Sequence, residues 1–312
     1  MRLLRLLLPS LVVLAAGLLA TGALFPPEIE GLPVTPIDTL VLVPVLRLAM
    51  FVSGSLAVGG ILVGGLLGGG RDALRLAARA AIGYSAASTA LAVATLADVL
   101  ATPWWGALDT TMLRSFLTQI DEGRYFVAQV VIGITVVWVL GRARSGLDSV
   151  FALIAMSVAV ALPAFSGHSA AAVTHWVASA IMIVHLLATH VWVGGVLVLL
   201  LAPGRNALLA FGRVASVAMP VLVVSGFASL AARVNDWDAA THDLYSVVVV
   251  LKFLAVMGIV GLANRVREQA TAALLDGSRD VVSLTRRTLA MEGMVMMVAL
   301  ALAVVLARMA NP

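Results

Sequence analysis

The sequence predicts an all-α, polytopic transmembrane helix bundle, and three observations carry that prediction. The 312 residues are 62% hydrophobic and only 12% charged, against roughly 45–50% and about 25% in ordinary soluble domains. Apolar runs of about 17–25 residues, long enough to cross a hydrocarbon core as helices, recur along the whole chain. Lys252 is the only lysine, so the basic residues are almost all arginine, and they cluster in short groups at the ends of alternate runs. Orientation signals are distributed in that way.

About nine spans follow: Leu3–Leu24, Leu40–Leu67, Ala78–Leu100, Tyr125–Leu140, Leu147–Phe165, Val173–Leu201, Leu208–Leu230, Tyr245–Leu262 and Leu289–Leu306. The fourth is the weakest, being short and opened by Arg124. The first follows Arg2 and Arg5 but is long for a signal h-region, and Ala20-Thr21-Gly22-Ala23 is a mediocre cleavage site, so it is expected to stay uncleaved. One set of connections carries Arg71, Arg75, Arg79, Arg142, Arg144, Arg205 and Arg213, then Arg265, Arg267, Arg279, Arg286 and Arg287. The other set carries Glu28, Glu30, Asp38, Asp109, Asp121, Glu122, Asp236, Asp238 and Asp243. The positive-inside rule then places the amino terminus in the cytoplasm and the carboxyl terminus outside.

The organisation reads as amino-terminal membrane helices over 1–146, about four spans, followed by a membrane core over 147–312, about five. The links Ala101–Arg124 and Ala263–Thr288 are too short for independent domains and read as amphipathic connections. In the first, Trp104 and Trp105 suit the outer interface. Gly59, Gly60, Gly64 and Gly65 in the second span, with Gly194 and Gly195 in the sixth, suit close helix packing.

Composition also excludes function classes. The pI near 10.3 comes from scattered topology signals, not from a basic face, so nucleic acid is not an expected partner. Cysteine is absent, which removes disulfides, thiolate metal sites, iron–sulfur clusters and cysteine nucleophiles. No HExxH, paired catalytic carboxylates or Ser–His–Asp grouping is visible, and the chain is not expected to be an enzyme.

Polar residues at membrane depth are costly and mark sites by default. The run from Val173 to Leu201 has no Asp, Glu, Lys or Arg but holds His175, His185 and His190. His168 lies in the preceding outward loop and His242 just before the eighth span. At 1.5 Å per residue, His185 sits about 15 Å deeper than His175. Met182, three residues earlier, shares its face, and Trp192, seven later, also lies on that side; His190, five later, does not. Imidazole with thioether suits copper in either oxidation state. His168, His185 and His175, with Met182 as a further ligand, are therefore the candidate metal set, and His185 bonding a neighbouring helix is the plainer alternative. For His190 and His242 the structural reading is the stronger one. Arg47, Asp98 and Lys252 fall in the outer half and suit a charge network, while Glu292 suits a pairing with Arg265 or Arg287; for Lys252 and Glu292 snorkelling towards the headgroups is the equal alternative. The Met291, Met294, Met296 and Met297 cluster reads first as packing.

Several of these stretches resemble a known family. Gly167-His168-Ser169-Ala170, Val184-His185-Leu186-Leu187-Ala188 and Val191-Trp192-Val193-Gly194-Gly195 are similar to the core motif of the copper resistance protein D (CopD) family. Phe211-Gly212-Arg213-Val214-Ala215, Val224-Ser225-Gly226, Val250-Leu251-Lys252-Phe253 and Ala263-Asn264-Arg265 extend the resemblance, and Glu292 matches an acidic residue at the start of the family's last helix. It is strong over Ser166–Arg265 and looser before, where the chain resembles actinobacterial-type members without the fused cytochrome oxidase assembly domain. The outer end of the eighth span departs from the family pattern with Thr241-His242-Asp243. The resemblance implies a multi-pass protein of the cytoplasmic (inner) membrane that handles Cu+ or Cu2+, importing it or passing it on from an extracytoplasmic carrier. It implies His168 and His185 as the best ligands, with Trp192, Lys252 and Glu292 as matched positions without a role. Two rival functions remain: a haem-binding redox membrane protein, and an assembly factor delivering copper to a terminal oxidase.

Overall fold

The computed structural model describes residues 2–25, 33–143, 145–165, 175–232, 244–275 and 281–309, and these are almost wholly helical. The ten α-helices are α1 (Arg2–Ala20), α2 (Ile37–Ile61), α3 (Gly70–Val99), α4 (Thr110–Gln119), α5 (Asp121–Arg142), α6 (Gly146–Ala161), α7 (His175–Leu201), α8 (Arg205–Ala231), α9 (Leu244–Leu275) and α10 (Val281–Leu306). Among the described residues, eight helical segments are long and apolar enough to cross a membrane. The apolar part of α1, Leu6–Ala20, is shorter than these. It lies along α10, where Leu14 and Leu18 are buried and Gly17 faces Val305.

The expected spans all appear as helices, with different bounds where local chemistry decides them. The fifth helix begins at Asp121, ahead of the apolar run, because acidic residues suit a helix amino terminus. Ser145 and Asp148 form a reciprocal capping box that starts α6. The long link after α3 holds a 3-10 turn over Trp104–Leu108 and then α4, whose amino-terminal N–H groups of Thr111 and Met112 donate to the Asp109 carboxylate at 3.0 and 2.9 Å. The expected link over Ala263–Thr288 is mostly helix: α9 runs on to Leu275 and α10 begins at Val281. Good helix formers such as Arg265, Arg267, Glu268 and Gln269 continue α9 beyond its apolar part.

The core lies among α2, α3, α6 and α7. Gly54 shows the convergence: a Cβ there would meet Val160 of α6, Tyr84 of α3 and His190 of α7 at 3.1–3.3 Å. Tyr84 donates its hydroxyl to the Ala159 carbonyl at 2.9 Å, which satisfies a buried polar group across helices. Helices α2 and α7 touch backbone to backbone, since a Cβ on Gly59 or Gly194 would strike main-chain atoms of the other helix. Ser55 and His190, one turn before those glycines, are hydrogen-bonded. The two contacts share one sequence offset, so the helices run parallel. Where α2 ends, Leu62–Leu66 forms a π turn, closed by the Leu67 N–H on the Leu62 carbonyl at 3.1 Å.

Asp98, Asp109 and Asp121 mark one end of the bundle, the acidic end; Arg71, Arg142 and Arg205 mark the other, the arginine-rich end. At the acidic end both nitrogens of the Arg308 fork donate to Asp98, tying α10 to α3. Arg47 lies within electrostatic reach of Glu122, Asp98 and Arg308. Of the expected trio of Arg47, Asp98 and Lys252, the first two are within reach of one another, with Glu122 and Arg308 beside them. Lys252 is half-buried on α9 and has interactions of its own.

Candidate functional site

The candidate residues divide by helix face. His185 and Met182 are half-buried on α7, three residues apart. The His185 Nδ1 lies 3.2 Å from the Ser225 Oγ of α8. That hydroxyl spends its single proton on the carbonyls one turn back, Val221 at 2.6 Å and Leu222 at 3.1 Å. Its oxygen can then accept from Nδ1–H in the Nδ1-protonated tautomer of His185. Gly226 permits the approach, because a Cβ there would sit 3.2 Å from the imidazole Cε1. Thr189 donates to the His185 carbonyl at 2.7 Å on the same side of the helix.

His190 is a different kind of residue. It is 1% exposed, bonded to Ser55 at 2.9 Å and tilted against the Phe51 ring with centroids 5.9 Å apart. It joins α2 to α7 and faces away from His185. The two imidazoles thus sit on one helix and turn to different neighbours. Among the described residues no facing histidine pair of the kind haem ligation needs is present.

His168 and His242 lie outside the described residues, as does the side chain of His175, whose backbone opens α7. Among the described residues no three His, Cys, Asp or Glu side chains come together to hold a metal ion. Described residues offer one anchored imidazole and a thioether one turn away; both suit copper as cargo, and further donors would have to come from elsewhere in the chain.

Trp192 and Glu292, unassigned in the sequence, come together. Trp192 is 1% and Glu292 2% exposed. The carboxyl lies beside the indole, near enough to attract its N–H, although no fully aligned hydrogen bond closes on Nε1. Glu292 does not meet Arg265 or Arg287 as expected: Arg287 is on the exposed face of α10 and Arg265 on an exposed part of α9. A shared depth at the arginine-rich end suggested those partners, but Glu292 is buried beside Trp192 of α7. Met296 and Met297 are fully buried while Met291 is 42% exposed, consistent with packing as the main role of that cluster.

Sequence reasoning placed Ser225 only within a motif, without a role, and missed Ser55, because a serine in an apolar helix has no signature until its facing helix is known. Arg308 lies past the last apolar run. Glu122 could have been found: it stands seven residues before Gln129, a buried polar residue on the same face of α5.

No curated protein and no solved structure matches the chain. Two family models do: copper resistance protein D over residues 205–306, and the copper resistance protein D-like N-terminal domain over residues 34–176. The amino-terminal part, where the resemblance looked looser, thus has a matching model of its own. The segment between the two matches, 177–204, holds most of α7 with His185 and Trp192. With both models met in order on one membrane-spanning helical chain, the protein belongs to the copper resistance protein D family.

Proposed function

We propose that this protein captures copper at its acidic end, on the extracytoplasmic side of the cytoplasmic membrane, and supports its import or delivery across the bilayer. His168, with His175, receives the ion and passes it to His185 and Met182 within the bundle. In this reading 147–312 carries the ligands and 1–146 packs against it as scaffold. An extracytoplasmic copper carrier is the expected donor, and no catalytic role is assigned. His242 and Asp243, where the sequence departs from the family pattern, would alter the site if that segment helps bind or gate.

One observation carries the reading: Ser225 ties the Nδ1 side of His185 within the bundle, the kind of outer-shell bond that orients a metal-ligating imidazole. The family's link to copper resistance supplies the ion. The test is copper titration of purified full-length protein. His185→Ala should lose one bound copper, and His168→Ala should weaken capture while the protein stays folded. Unchanged stoichiometry and affinity in His185→Ala would reject the assignment.

A further inference from the structure

The carboxyl of Glu292 is the group that the copper pathway leaves unused. It sits on α10 in a stripe formed by Thr285, Leu289, Glu292 and Met296, all buried and spaced three or four residues apart. Gly293 brings this helix onto α7, since a Cβ there would lie 3.0 Å from Leu200 and 3.7 Å from Val196. Among the described residues the side chain that acts on the carboxyl is Trp192 of α7. Arg286 and Arg287, on its own helix, are exposed and more than a turn away.

A second feature lies directly below. A small cavity at the arginine-rich end is lined by Leu199, Leu200, Pro203, Thr285, Arg286 and Leu289. Leu289, one of its lining residues, stands one turn from Glu292, about 5 Å along the helix axis, so the cavity lies on the arginine-rich side of the carboxyl. Above, Trp192 connects the carboxyl to the His185 face of α7, two turns further on.

A lone carboxylate in a low-dielectric core is expensive, and a lone cation there equally so. We propose that Glu292 is a proton-carrying site, loaded through the Thr285–Leu289 cavity, which releases its proton when a monovalent cation occupies the His185 face. The balance is simple. The neutral acid becomes a carboxylate, one proton leaves to water at the arginine-rich end, and one positive charge arrives at α7. Net core charge is unchanged and no electron moves. The cation-linked half of this mechanism rests on the copper reading above; the proton site does not.

Dicyclohexylcarbodiimide, which adds to protonated carboxyls in apolar surroundings, separates the two. Full-length protein in proteoliposomes is treated over a pH series, with and without Cu(I), and the adduct is located by peptide mass spectrometry. Glu292 should carry the adduct, its extent should fall as pH rises, and saturating Cu(I) should cut it at least threefold. Glu292→Asp should keep the adduct and Glu292→Gln should lose it. No adduct at Glu292 in the unaltered protein, or one indifferent to pH, overturns the proton site. Labelling that follows pH but ignores copper, in protein shown by titration to bind it, overturns the coupling alone. If titration shows no copper bound, the copper reading fails while the pH series still judges Glu292.

Discussion

Both histidine side chains described on α7 are tied to serines, but a serine tie can serve a ligand or a joint. Ser225 holds His185 through Nδ1 in a half-buried position between α7 and α8, whereas Ser55 holds His190 in a fully buried one between α2 and α7. Removing an outer-shell partner of a metal-bound imidazole costs about 10–100-fold in affinity. Ser225→Ala should therefore weaken Cu(I) binding by at least about tenfold in a chelator competition. Ser55→Ala should leave that affinity alone and lower stability by roughly 1 kcal/mol, seen as a fall in Tm in detergent. Equal losses of copper affinity in the two variants would erase the distinction.

Among elements, the α2–α7 contact sets the strictest requirement. Gly59 and Gly194 leave no room for a side chain, so Gly194→Ala should cost about 1–3 kcal/mol by overpacking. Gly212→Ala, where a Cβ meets nothing within 4 Å, should cost far less, and thermal unfolding of the pair compares them. These glycines were legible in the sequence as packing residues, and the helices themselves as apolar runs, because lipid demands both. The five-residue spacing of His185 and His190 also told correctly that they face different ways. Which neighbour each would meet was hidden, since it depends on how α2 and α8 are arranged about α7. Glu292 was misread for the same reason: pairing by charge ignores that a carboxyl can turn inward to an indole. The end of α9 was misjudged because hydropathy marks the apolar part of a helix and not its last hydrogen bond.

For the molecule as a whole, the Asp98–Arg308 pair joins the amino-terminal helices to the last one at the acidic end. Asp98→Asn should cost roughly 1–3 kcal/mol, as expected for losing a charged hydrogen bond, and the Asp98→Arg/Arg308→Asp exchange should recover part of it on thermal unfolding. The orientation argued from the arginines is open to direct measurement, because the chain has no cysteine of its own. An impermeant maleimide added outside intact cells should label Trp105→Cys, 58% exposed beyond α3, and spare Leu147→Cys, 79% exposed at the other end. The opposite pattern would invert the entry route. One further consequence follows from the bare glycine crossing. With no side chains meshed there, α2 and α7 cannot slide lengthwise without losing their tightest contact, and the Ser55–His190 bond one turn away pins the same crossing. The two helices are thus keyed to one another, which fixes the depth of His185 against the amino-terminal half of the bundle.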